Sequence, residues 1–548
     1  MLAERFTPLR AALALLLGLA GAVTGVAIAA PAATSVGPDG TVALTVVVPL
    51  AVPESDAGFI PADALDQYTR PTGLLTRELD AIIDRPVVIA IDPRIIASIR
   101  ILGSSAPASA IEWLSRLESA SNETFALTYA DSDITLGLQA GSPRVLQPES
   151  FDFAIDPSLF AEAAAQTPAP TPSPDATAPG MPTSESLLAW PYTLESIAWP
   201  RDGTVVTADL SAITASGYTT TILSSANVSR DEGSALVRVD GGTAAISDDA
   251  VSGALRTAVA SVSPEDWVSA MATVGSALDA APATVLATLD RTVPITGTHL
   301  AETLSTLQAD PRVRLTGLSQ LLAGSADEAT LVDSPQPAAS VGRMAMLLDA
   351  ESAEIRFATV AESPSAITSP RRLHLLALLS SAWLRNPAGW LTATDAFLTD
   401  SDDLRASVQV VAYSSFNLLA DSASLPISVS NSLDQAVTVY ITVRPETALL
   451  AVTDSRVELV VEPDSQAKGQ IPVQAVSNGT VQVLITLASG AGVPIGAPAT
   501  AEINVQAGWE TPIVLVVGII VVLVFGGGIV RNILRRRKPA RPVEPTDD

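Results

Sequence analysis

From Thr41 to about Leu322 the chain alternates short β-branched runs with segments of helical period. The first run is Thr41 to Val48, followed by an amphipathic stretch from Thr72 to Ile83. Pro86 to Ile91 is apolar at every other position and between, as a strand covered on both faces requires. A helix through Ile111 to Leu117 leads to the run Thr124 to Thr128, and the pattern then repeats. Strand-like runs lie at Leu194 to Trp199, Tyr218 to Leu223, Ala235 to Val239, Thr284 to Leu289 and Arg312 to Leu315, with helical segments between them. Seven or eight such units make this an α/β protein and predict a β/α barrel-like domain over 41–322, regular or distorted, with a doubly wound sheet as the alternative. A Pro/Ala/Thr tract over 167–184 is unable to bury a core and reads as a loop insert.

The period changes twice after that. Over 341–400 apolar residues recur at helical spacing, in Met344 to Leu348 and Leu373 to Leu379, and predict a short helical region in which Trp383 and Trp390 pack. From 425 to 506 inward and outward residues alternate through Pro426 to Val429, Val437 to Val443, Val457 to Val461, Gln470 to Val476, Val481 to Leu487 and Glu502 to Val505. About seven short strands with turn signals such as Asn478-Gly479 predict an immunoglobulin-like β-sandwich.

Pro512 to Val530 is apolar throughout, and at 1.5 Å rise per residue a helix over it is about 28 Å long, enough to cross a bilayer. Trp509 precedes it and Arg531, Arg535, Arg536, Arg537 and Lys538 follow, the arrangement of an interfacial anchor and a cytoplasmic flank. The tail 531–548 is therefore expected inside and everything before the span outside. At the other end Arg5 and Arg10 precede an apolar stretch reaching Ala30, so 1–30 reads as a signal peptide or, uncleaved, as a second anchor. Both readings export the region between, and together they predict a single-pass cell-membrane protein.

Charge and composition narrow the chemistry. The formal net charge is −27 although the tail is basic, so the exterior is strongly acidic, which argues against nucleic acid as a partner. There is no cysteine and there are two histidines, His299 and His374, which leaves little for a metal site or a histidine base, and no cofactor is expected. No Gly-rich phosphate loop or G-x-S-x-G elbow follows a strand.

What remains for catalysis is carboxylates at the carboxyl ends of parallel strands: Asp92, Asp131, Asp133 and Asp290. Two carboxylates flanking a sugar can act as acid and nucleophile or base. Asp92-Pro93 is equally an ordinary helix start, with a capping carboxylate and proline in the first turn. Tyr129, Trp190 and Trp199 are candidates to stack on a sugar face, or to fill the core.

Asp92-Pro93, the Y-A-D-S-D stretch from Tyr129 to Asp133, the L-P-I-S-V-S-N-S-L-D-Q-A-V-T-V segment from Leu425 and the terminal span with its arginines resemble a family of uncharacterised envelope proteins of high-GC Gram-positive bacteria. The resemblance implies a secreted, singly anchored protein with a barrel-like domain and a sandwich, often encoded near a lipid II flippase, and implies no activity. Thr128 and Ser132 stand where the family's motif carries prolines. Two functions fit. One is a non-catalytic binding or scaffolding module at the cell wall, with wall polymer or an envelope membrane protein as partner; the other is a carbohydrate-active hydrolase using the rim carboxylates.

Overall fold

The structure is a computed structural model and describes residues 41–160, 181–230, 234–292, 298–411, 415–506 and 510–536. The N-terminal segment 1–30, most of the Pro-rich tract, Trp509, Arg537 and Lys538 lie outside the described residues.

Seven parallel strands succeed one another in chain order: β1 (Val42–Leu50), β2 (Val88–Ile91), β3 (Glu123–Ala126), β4 (Ile197–Ala198), β5 (Thr220–Ser224), β6 (Gly242–Ser247) and β7 (Thr284–Thr288). Each pairs with the next except across β3 and β4, and β7 returns to pair with β1. The sheet is thus barrel-like, with its one missing ladder between β3 and β4. That seam is spanned by a backbone bond from Leu194 N to Thr124 O (3.0 Å) and by Thr124 N donating to Thr193 Oγ1 (2.7 Å). An eighth parallel strand, β8 (Val313–Leu315), joins the start of β1 beside β2. The strand Leu236–Val239 turns straight back onto β6 as an antiparallel hairpin. This corrects the simple β/α alternation, and Asp240 and Gly241, both at positive φ, make the tight turn.

Strand periodicity sorts the core. Val47, Val88, Ala90, Phe125, Ile197, Trp199, Ile222, Ala245 and Leu286 point inward and form one cluster. Their neighbours Val46, Val48, Ile89 and Ile91 face the surrounding helices in a second, larger cluster. A strand buried on both faces needs apolar residues at both parities, hence the near-continuous apolar runs.

Three helices follow the barrel-like part: α3 (Ala338–Ala358), α4 (Pro364–Leu378) and α5 (Pro387–Ala406). They are numbered after α1 (Pro93–Ile101) and α2 (Ile134–Gln139), which leave β2 and the loop after β3. Leu136 from α2 packs with Met344, Leu347, Leu375, Leu378 and Phe397, tying the helices to the rim. At their other end Phe357, Ala358, Val360 and Ile367 enter the core of the strands beyond.

Those strands form a four-stranded and a five-stranded sheet around one apolar core. The series starts at Val408–Val410 and Ser415–Leu418, earlier than the alternation from 425 indicates. These short segments are strands because they pair with Ser422–Asn431 and Pro494–Val505, respectively. After Val505 the chain enters α6 (Glu510–Arg536), within which Val514–Arg536 is long and apolar enough to cross a membrane and has no part buried in the rest of the protein. The helix outruns the apolar stretch and carries Arg531, Arg535 and Arg536 in its last two turns.

Candidate functional site

Asp92 leaves β2 and caps α1: its Oδ1 accepts from Arg94 N at 2.8 Å, with Pro93 in the first turn. The same oxygen accepts from Ala130 N at 2.8 Å, so one carboxylate joins the loops after β2 and β3. Ala130 and Asp131 both have positive φ (61° and 46°), a conformation that costs non-glycine residues free energy and that this bond helps hold. Asp92 is 1% exposed; burial pushes its carboxyl up, opposed by the Arg94 guanidinium, whose Nε lies 3.7 Å from Oδ2.

Asp131 accepts from Arg291 Nη1 at 2.8 Å. Burial still pushes its carboxyl up to about 7, against the pull of Arg291, and the charges of Asp92 and Asp133 add to the rise. The Arg291 guanidinium carbon lies 4.5 Å from the centre of the Trp199 ring, so Trp199 serves as a cation-π platform inside the rim, buried and 6.5 Å from Phe125.

Asp133 caps α2, accepting from Leu136 N (3.1 Å) and Thr135 Oγ1 (2.9 Å) at Oδ1 and from Gln336 Nε2 (2.8 Å) at Oδ2. Arg201 Nη1 stands 4.0 Å from the latter oxygen. Asp290 Oδ1 accepts from Thr292 N and Oγ1, both at 2.7 Å, and shapes a turn. The four acidic candidates thus lie along the carboxyl ends of the strands, but Asp92, Asp131 and Asp133 are each at most 5% exposed and each is bonded inward.

The aromatic candidates separate. Tyr129 is buried 5.8 Å from Phe151, its hydroxyl donates to Gly58 O at 2.7 Å, and burial holds it far above the usual phenol range. Trp190 packs half-buried against the outer helix layer, 5.8 Å from the Arg100 guanidinium. Tyr129, 1% exposed, offers no open face.

Sequence reasoning missed the rim's cations. Arg256 binds Asp202 Oδ2 (2.6 Å), Thr288 O (2.9 Å) and Thr288 Oγ1 (2.7 Å), linking β7 to the loop after β4. Arg201 donates to Gln336 Oε1 at 3.1 Å. Arg256 stands in the helix Asp249–Ala260, where an arginine reads as an ordinary solvent-facing residue, and no periodicity marks Arg201 in its loop; the only signal was the polar Arg201-Asp202 pair directly after a strand. Beside Asp133 and Arg201, where α2, the start of α3 and the turn from α4 to α5 meet, is a cavity of about 180 Å³. Trp383 and Trp390 line it, half-buried, so they are not wholly core. No group of three or more His, Asp or Glu side chains placed to hold a metal ion occurs among the described residues.

The model of a protein family of unknown function, DUF6049, matches residues 22–541. The chain belongs to that family. No curated protein matches it. Among solved structures, Escherichia coli alpha-2-macroglobulin is 16% identical over 18% of this chain and 7% of its own, with a TM-score of 0.16. The alpha-amylase AmyC from Thermotoga maritima is 10% identical over 66% of this chain and 93% of its own, with a TM-score of 0.39. The Caenorhabditis elegans MSP family member WR4 is 11% identical over 18% of this chain and 99% of its own, with a TM-score of 0.15. Scores this low carry no argument about function, and this chain spans only a small part of alpha-2-macroglobulin's length.

Proposed function

We propose that this DUF6049 protein is a non-catalytic binding module of the cell envelope, held at the membrane by α6 with the barrel-like part outside. The observation that carries the reading is the state of the rim carboxylates. Asp92 and Asp133 cap helices, Asp290 shapes a turn and Asp131 is closed into a pair with Arg291. An acid and a nucleophile need open approach to one scissile bond, and these side chains are committed to the protein itself. The two sheets over 408–505 act as an immunoglobulin-like stalk between head and span. Arg531, Arg535 and Arg536 at the end of α6 support a cytoplasmic tail, and the acidic exterior suits a soluble domain facing wall polymer or an envelope membrane protein in a high-GC Gram-positive bacterium.

The test is retention. Full-length protein in detergent should sediment with purified wall sacculi or be captured with a membrane extract, and loss of both would end the reading. The second reading, a carbohydrate-active hydrolase, draws on Asp131, whose carboxyl holds a proton up to near-neutral pH as a general acid does. Asp92→Asn and Asp131→Asn separate the two: a module keeps its retention in both variants, whereas a hydrolase loses turnover of wall glycan.

A further inference from the structure

We propose that the cavity between α2, α3 and the segment 380–390, which leads into the first turn of α5, is a subsite for one neutral sugar ring. The proposal rests on the wall-binding reading only for the source of the sugar. The volume, about 180 Å³, lies below that of drug-sized sites and suits a single ring.

Two tryptophans supply the apolar walls. Trp383 Nε1 donates to Ala377 O and Trp390 Nε1 to Leu378 O, both at 2.9 Å, so the polar atom of each indole is satisfied inside the protein. Yet each tryptophan keeps part of its surface open beside the cavity, and Leu384 on the same lining is 42% exposed. A ring left open although its N–H is already paired offers an apolar face with no polar demand of its own, which is what the C–H face of a pyranose needs.

The polar lining fits hydroxyls better than an ion. Arg201 uses Nη1 for Gln336 and stands 4.0 Å from Asp133, which offsets its charge. Its other N–H groups, with no hydrogen bond to described residues, are free to donate to a sugar oxygen. Ser340 Oγ makes no hydrogen bond to described residues, and Ser380 Oγ only accepts, from Ala382 N at 3.4 Å. The cavity therefore combines donors and acceptors without net charge, complementary to a polyol and poor for a lone anion or cation. Asp133, which braces Arg201, is itself fixed by Gln336 and the start of α2, so the subsite is preorganised by the rim.

Saturation-transfer NMR on the full-length protein in detergent, with N-acetylglucosamine as the probe, tests the assignment. Saturable binding with a Kd on the order of 1 mM is expected for one ring. Trp390→Ala and Arg201→Gln should each weaken it by roughly tenfold, Trp390→Phe by less than about threefold, and Trp267→Phe, on the outer helix layer, not at all. Absence of saturable binding to the wild type, equal binding by Trp390→Ala and Arg201→Gln, or tighter binding of cyclohexanol than of the sugar would each overturn the subsite. Sacculus retention without sugar binding would remove the subsite and leave the wall-binding reading standing. Sugar binding with neither sacculus retention nor membrane-extract capture would keep the subsite and end the wall-binding reading.

Discussion

Arg291 donates to Asp131 at 2.8 Å across 160 positions of sequence, with side-chain exposures of only 7% and 2%. A buried pair of this kind costs desolvation, and the carboxyl shows that burial outweighs the attraction: it is pushed up from 3.8 to about 7. The folded state therefore binds a proton that the unfolded state has already released. By linkage this residue's contribution to stability is complete below its unfolded pKa of 3.8 and is lost as the pH rises through about 7. In urea titrations between pH 4 and 8, the wild type should lose midpoint relative to Asp131→Asn as pH rises, with the difference levelling above about 7. A constant difference across that range would contradict the assignment.

Asn122 is a backbone staple. Its Nδ2 donates to Ile82 O (3.1 Å), Arg85 O (2.8 Å) and Val87 O (3.1 Å), while Oδ1 accepts from Asp84 N (2.9 Å). Asn122→Ala removes these bonds, although Ile82 O and Arg85 O keep backbone partners in Arg85 N and Val87 N, and should lower unfolding stability by about 1–3 kcal/mol, read from chemical denaturation. Asn122 heads an Asn-Glu-Thr sequon, yet at 5% exposure it is closed to a glycosyl transferase in the folded state.

Arg371 binds the buried Glu354 through Nε (3.0 Å) and Nη2 (2.7 Å), donates to Phe397 O (2.9 Å) and lies 3.8 Å over the Phe397 ring. Removing it strands a carboxylate with no exposure between α3 and α4. Arg371→Ala should cost about 3–5 kcal/mol. Arg371→Lys should recover only part of that, because an ammonium cannot reproduce the planar fork.

Truncation after Gln506 removes α6 and should move the protein from the membrane pellet to the soluble fraction after carbonate extraction. A pellet-bound truncation would mean that another segment holds the membrane. Arginine at Val522, near the middle of the apolar stretch, should weaken insertion by about 3 kcal/mol in a translocon assay.

Local periodicity was sufficient wherever a side chain's face depends only on its own strand or helix. The alternation of Val46, Val47 and Val48 and the apolar length of 512–530 are of that kind: they follow from the pitch of a strand and the rise of a helix. Asp92-Pro93 announced a helix start for the same reason, since a cap and its amide are two residues apart.

Tertiary structure decided what depends on partners distant in sequence. The two strands before 425 exist only through ladders to segments further along, and the hairpin into β6 was hidden because Gly242–Ser247 is short and small-sided. Asp131 could be read from its sequence as an open rim acid, but Arg291, 160 residues away, closes it. Trp383 and Trp390, spaced seven apart, read equally well as packed helix residues. Only the meeting of α2, α3 and α5 leaves their rings beside a cavity. Periodicity reports which way a residue points from its own element; whether a neighbour arrives to cover it is settled by the fold, because the covering residue can come from anywhere in the chain.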